Sequence, residues 1–233
     1  MIDFGKCFTF AIDRIKANPA FYIVAGLLTV LLPFIISFGL GLIVGFVIAG
    51  ISSALKIDLR VANILAQIIA SFLNILVTCL VMAPVLAAFL REMESENKGE
   101  NVQPASLMDC FGTYTQSAIA YFISSVIVGI GFLLCIIPGI LLSPIVMMSI
   151  FFVARGDSAM DSIRKSYEII KSNPVTILYT ILFYLIASVA GLLACCIGLI
   201  VTIPMANTAF YKMMKQLLGE NETSSPASPE EAI

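Results

Sequence analysis

Histidine is absent from the 233 residues. That removes both the commonest general base and the commonest metal ligand. The six cysteines, Cys7, Cys79, Cys110, Cys135, Cys195 and Cys196, form no Cys-x-x-Cys pair. Four of them lie inside apolar runs, so they read as reduced, small hydrophobic side chains. No Gly-rich phosphate loop, no Ser or Cys nucleophile beside a base, and no pair of carboxylates on a rigid element is visible. The chain therefore offers no catalytic residue, no metal site and no cofactor, and the expectation is that it is not an enzyme. A signal peptide is not expected either, because the first apolar run is far longer than the roughly 7–15 residues of a signal's apolar region.

Charge is missing in blocks. Phe21–Ile51, Val61–Leu90, Gln116–Ala154 and Ser172–Tyr211 contain no charged residue, and together they make up 140 of the 233 residues. Hydrophobic residues form 60% of the chain and mean hydropathy is +1.02. A backbone enters hydrocarbon only if its polar groups bond internally, as in a helix or a closed barrel. Runs of this length without period-two alternation indicate membrane-spanning helices. The fold class is all-α and polytopic.

The block lengths say how often the chain crosses. A bilayer core of about 30 Å takes roughly 20 helical residues. The first two blocks, 31 and 30 residues long, fit one tilted or kinked helix each, with Pro33 and Pro84 as candidate kinks. The third and fourth, 39 and 40 residues long, must double back. Ile137-Pro138-Gly139 is the expected turn in the third, since proline removes a donor and glycine permits a left-handed conformation. Gly191 to Gly198, around Cys195-Cys196, is the expected turn in the fourth. The reading is six spans, at about 20–50, 62–90, 117–137, 140–154, 174–192 and 196–216. They form a single transmembrane domain over residues 1–218. With six spans the bases sort eleven to one side and two, Lys56 and Arg60, to the other. By the positive-inside rule both termini are then cytoplasmic, in a cytoplasmic membrane. The tail Gly219–Ile233 carries four glutamates and no base, and is expected to be a disordered acidic extension.

The polar connectors repeat. Ile15-Lys16-Ala17-Asn18-Pro19 precedes the first block and Ile170-Lys171-Ser172-Asn173-Pro174 the fourth. Asn suits an N-cap and Pro the first helical position, while the residue before Pro resists helix. Each junction follows an amphipathic segment. Its apolar stripe is Phe4, Phe8, Ala11 (or Ile12) and Ile15 in the first case, and Ala159, Ile163, Tyr167 and Ile170 in the second. Ser158 with Asp161 offers a capping-box start to the latter. Ser106–Thr115 reads as a shorter third version. The pattern suggests three units, each a surface helix followed by two spans. Arg164, Lys165 and Lys171 are the bases of the second surface helix.

Inside the spans the best polar constellation is Gln67, Ser71, Asn74 and Thr78, whose spacing puts them on one helical face. A weaker hydroxyl line, Thr176, Thr180, Tyr184 and Ser188, runs down the fifth span. These read first as interhelical hydrogen bonding. The alternative is a polar groove for a lipid headgroup or small solute. Gly41 and Gly45 form a GxxxG, read as close helix packing. Glu92, Glu94, Glu96 and Glu100 read as a solvated loop.

At Gly129-Ile130-Gly131…Ile137-Pro138-Gly139-Ile140, then Gly156-Asp157-Ser158-Ala159…Ser162…Ser166…Lys171-Ser172-Asn173, then Gly198…Thr202-Ile203-Pro204…Tyr211, the chain resembles a known group. It is that of prokaryotic membrane proteins related to YciC and to the membrane domain preceding some glycerophosphoryl diester phosphodiesterases. The likeness covers about residues 105–215. It implies a membrane module without phosphodiesterase activity, because the catalytic histidines of that enzyme's soluble domain have no counterpart here. The expected function is a non-enzymatic integral membrane protein that associates with lipid or a partner. A transporter or channel for a neutral or amphiphilic solute is the alternative. The partners to expect are the lipid bilayer and either another membrane protein or a second copy of the chain, with no nucleic acid.

Overall fold

A computed structural model describes residues 4–55, 58–100, 107, 114–193 and 197–220. The described residues form nine helices joined by turns, with no strand among them. They are α1 (Phe4–Ala17), α2 (Pro19–Leu55), α3 (Leu59–Asn97), α4 (Tyr114–Leu134), α5 (Ile136–Leu142), α6 (Pro144–Ala154), α7 (Ala159–Ser172), α8 (Pro174–Leu193) and α9 (Ile197–Leu217). Among the described residues four stretches, Pro19–Ser53, Arg60–Asn97, Tyr114–Leu134 and Ile136–Ala154, are long and apolar enough to cross a membrane. The chain is a helical membrane protein.

Three antiparallel hairpins make the bundle. In α2–α3, Ser37 meets Asn74 and Phe21 stacks on Phe89. In α4 with α5–α6, the Ser124 and Ser149 hydroxyls lie 3.0 Å apart. In α8–α9, the Tyr184 hydroxyl donates to Asn207 Oδ1 at 2.8 Å. The Cys195-Cys196 turn lies outside the described residues, and Gly198 is the second residue of α9. Pro33, Pro84 and Pro204 all sit inside helices.

The turn expected at Pro138-Gly139 falls three residues earlier. α4 ends at Leu134, Cys135 is extended (φ −170°, ψ 152°), and Pro138 occupies the first turn of α5. The physical reason is the proline's reach. Its ring and missing N–H conflict with the carbonyl four residues back, which is that of Leu134, so the helix must stop there. In the first turn of a new helix the missing donor costs nothing. Gly139 is not left-handed either, since positive φ among the described glycines occurs only at Gly99, Gly156 and Gly219. Its smallness serves contact instead, because a Cβ there would lie 2.4 Å from the Phe132 ring. The second limb of this hairpin consequently starts at Ile136 rather than 140. With 19 residues it is about 28 Å long, close to one bilayer core.

Three helices arrive at a common end of the bundle and stop in the same way. At α6, Gly156 (φ +99°) donates to the Val153 carbonyl at 2.9 Å and Asp157 to Phe152 at 3.1 Å. This is the paired Schellman arrangement, in which a left-handed residue lets two orphan carbonyls be satisfied. The same two bonds recur at Gly99-Glu100 after α3 and at Gly219-Glu220 after α9. In each case an acidic residue follows the glycine.

The core sits just inside that end. Phe21, Tyr22, Phe89, Leu90, Met93, Phe151, Tyr211 and Met214 are fully buried, whereas Phe46 and Phe72, far along α2 and α3, are 78% and 65% exposed. On α1 the inward face holds Cys7 and Ala11 while Phe8 is exposed. On α7 it holds Ala159, Ser162, Ile163, Ser166 and Ile170, with Tyr167 outside. Both stripes are thus rotated from the expected ones: serines and cysteine, being small, allow closer approach than the aromatic rings they replace. Of Ser106–Thr115, only Leu107, Tyr114 and Thr115 are described, and the last two already belong to α4.

Candidate functional site

The last two turns of α3 organise the charged end. Of the glutamates read as a solvated loop, Glu92, Glu94 and Glu96 are helical, because α3 continues to Asn97, and Glu100 follows the helix. Glu96 accepts from the Tyr22 hydroxyl at 3.1 Å and pairs with Arg14 of α1 at 3.3 Å. Glu94, two residues earlier and so on another face, accepts from the Tyr211 hydroxyl at 2.5 Å and pairs with Lys215 of α9 at 3.5 Å. Each carboxylate thus clasps a tyrosine at the rim of a charge-free run and a base from another helix. These side chains are largely buried, and hydrogen bonds to a charged group contribute about 1.5–3 kcal/mol each. The Met93 sulfur between them lies 3.4 Å from the Tyr22 hydroxyl and 3.5 Å from that of Thr208.

Beside this clasp lies a hollow of about 400 Å³ lined by Arg91, Glu94, Ser95, Lys98, Ala154 and Arg155. The four α3 residues follow the helical spacing of one face, and the other wall is the end of α6. Lys215, Arg155 and Lys98 all act electrostatically on the Glu94 carboxylate. Arg155 also bonds Glu220 at 2.7 Å and lies over the Phe151 ring. A second, more open hollow of about 590 Å³ is bordered by Arg155, Lys165, Glu168 and Glu220.

On α7, Lys165 pairs with Asp157 at 2.6 Å. Arg164 pairs with Glu168 at 3.3 Å, with both side chains mostly in solvent, where such pairs contribute little. Lys171 is exposed. The start of α7 is fixed by Ser158, which accepts from the Asp161 N–H, and by the Gln116 side chain of α4, which accepts from the Ala159 N–H at 2.9 Å. At the junctions, Asn18 and Asn173 stand between helices, and Pro19 and Pro174 open α2 and α8. The Asn173 amide donates to Ser172 Oγ.

Within the spans, Asn74 Nδ2 donates to Ser37 Oγ of α2 at 2.7 Å, and Thr78 donates to Asn74 Oδ1 at 3.2 Å. The polar stripe is thus split: Asn74 bonds across to α2 and Thr78 bonds to Asn74 within α3, while Gln67 and Ser71 are exposed. A hollow of about 350 Å³ lined by Ser37, Gly41, Ala70, Ser71 and Asn74 lies between the two helices. Gly41 and Gly45 meet nothing within 4 Å of where a Cβ would be; they form no close contact among the described residues. Among the described residues no group of three or more Cys, Asp or Glu is placed to hold a metal ion.

Sequence reasoning missed the Glu94 and Glu96 clasps. The available signal was positional: Tyr22 and Tyr211 are the second and the last residue of their charge-free runs, where an amphipathic ring marks a membrane rim.

No family model matches the chain, and no solved structure does. It is similar to uncharacterised proteins of Mycobacterium tuberculosis and Mycobacterium bovis, each 33% identical over 103 residues. The matched region is 43% of this chain, and the chain spans about a third (32%) of the length of those curated relatives.

Proposed function

We propose that the chain is a non-enzymatic membrane module that works by association with an anionic bilayer surface, and through it with a partner membrane protein. On this reading it crosses a cytoplasmic membrane six times, α5 and α6 together forming one span and α8 and α9 the last two. Both termini and the charged end face the cytoplasm. The resemblance to YciC-like membrane proteins fits such a module.

The observation that carries the reading is the disposition of α7. One face is buried against the bundle, while Arg164, Lys165 and Lys171 share the solvent side with two acids, Asp161 and Glu168, and with the exposed Met160 and Tyr167. Cations mixed with an apolar and an aromatic side chain, on a helix held beside the ends of spans, suit the headgroup layer. Each base near an anionic surface contributes about 1 kcal/mol. Replacing Arg164, Lys165 and Lys171 by Gln should therefore lower preference for anionic over zwitterionic lipid by roughly 100-fold. The preference would be read from lipid co-purified with the protein out of mixed vesicles. Unchanged enrichment would refute this mode.

The second reading, a transporter or channel for a neutral solute, draws on the hollow beside Ser37, Ser71 and Asn74. Flux through reconstituted vesicles, compared with a variant lacking Asn74 and Gln67, tests it.

A further inference from the structure

We propose that the hollow between the ends of α3 and α6 is a phosphate-binding site, with Arg91, Lys98 and Arg155 as its cations and Ser95 as a hydroxyl donor. The proposal rests on the membrane-surface reading above and narrows it from a diffuse charged face to one pocket.

Depth is the first argument. Arg91 is the first charged residue after the run ending at Leu90, and Arg155 the first after the run ending at Ala154. Two guanidiniums on neighbouring helices thus stand where two apolar runs end, side by side around one hollow of about 400 Å³. That is the level at which a bilayer places its phosphates.

Charge balance is the second. The hollow's one carboxylate, Glu94, is already engaged by the Tyr211 hydroxyl and the Lys215 ammonium. Among the described residues neither Arg91 nor Lys98 forms an ion pair, and Arg155 pairs with Glu220, so beyond the field that Lys98 and Arg155 exert on Glu94 the three cations outnumber the hollow's one carboxylate. Three like charges round one cavity repel one another, and an oxyanion between them removes that repulsion. Planar guanidiniums match phosphate oxygens two at a time, while the lysine adds a point charge.

The third is Glu220 itself. Its carboxylate sits 2.7 Å from the Arg155 guanidinium and 3.7 Å from Lys215. An oxyanion from the start of the acidic tail, in the neighbouring hollow, thus already engages one of the three cations, which makes Glu220 a competitor for the Arg155 guanidinium. The alternative role for Lys98 and Arg155 is to offset the partial negative charge at the ends of α3 and α6. That role involves no ligand and separates cleanly in the test.

The full chain in a phosphate-free maltoside detergent is titrated with inorganic phosphate, with sulfate, and with short-chain phosphatidic acid, and saturable stabilisation is followed by thermal unfolding. Arg91→Gln/Lys98→Gln/Arg155→Gln should weaken binding roughly 100-fold, at about fivefold per base. Lys98→Gln alone, at an exposed position that forms no ion pair, covers the case in which the triple variant does not fold. Glu220→Gln should tighten binding, because the internal competitor is gone. Saturation by phosphate alone assigns a free anion, and saturation by the lipid alone assigns a headgroup; either supports the site. Saturation by neither, or binding retained in the folded pocket variants, overturns it. The Arg164/Lys165/Lys171 variant should keep this saturable binding while losing bulk anionic preference, so the two readings fail separately.

Discussion

A Cβ placed on Gly26 of α2 would lie 1.7 Å from the carbonyl oxygen of Ile200 in α9. The obstacle is backbone, which cannot rotate away as a side chain could. Gly26→Ala must therefore push the α2 and α9 helices apart, at an overpacking cost of about 1–3 kcal/mol or more. Gly45→Ala, at a glycine with nothing within 4 Å, should be close to neutral. Thermal unfolding in detergent compares the two, and an equal response from both would show that the α2–α9 contact is not tight.

The clasps at the end of α3 predict strong coupling. Tyr211→Phe and Glu94→Gln should each lower stability by about 1.5–3 kcal/mol. Together they should cost clearly less than the sum, because both act on the same bond, Tyr211→Phe by removing its donor and Glu94→Gln by removing the charge on its acceptor. Arg164→Gln, which breaks a pair that is 81% and 64% exposed, should change stability by less than about 0.5 kcal/mol. A double-mutant cycle on Glu94 and Tyr211 measures the coupling directly, and additivity would remove the clasp.

What was legible follows from range. Membrane helices could be read because the charge-free runs are a one-dimensional signal. Proline also acts locally, and α2 and α8 do begin at Pro19 and Pro174. At Pro138 the expected break is at the residue itself, whereas the steric effect of proline falls four residues upstream, on Leu134, where α4 ends. The clasps were not legible because Tyr22 and Glu96 are 74 residues apart, and Glu94 and Tyr211 are 117 apart. No local pattern pairs them. On α1, apolarity alone ranks Phe8 above Cys7, yet it is Cys7 that is buried, since close approach of helices rewards small volume over hydrophobicity.

Cys135 gives the six-span reading a direct test. It is exposed at the turn between α4 and α5, which that reading puts on the side opposite the termini. With Cys110, Cys195 and Cys196 replaced by Ser, a membrane-impermeant maleimide should label Cys135 from outside intact cells. Cys7 and Cys79 are buried and should stay unlabelled. Labelling of Cys135 only after the cytoplasmic face is opened would mean that α4 and α5–α6 do not form a crossing hairpin in this orientation.

Asn74 separates packing from transport. Its amide is bonded to Ser37 across the α2–α3 interface and its carbonyl oxygen to Thr78. Hydrogen bonds between membrane helices contribute about 0.6 kcal/mol on average and up to about 1.7 kcal/mol. Asn74→Ala should therefore lower unfolding stability by roughly 1 kcal/mol, and Ser37→Ala by a similar, non-additive amount. Gln67→Ala, at an exposed position two turns away, should leave stability unchanged. If the stripe serves packing, solute flux in reconstituted vesicles follows none of these substitutions. A flux that fell with Gln67→Ala while stability held would identify the hollow beside Ser71 as a pathway, because only a passing solute would be sensitive to that side chain.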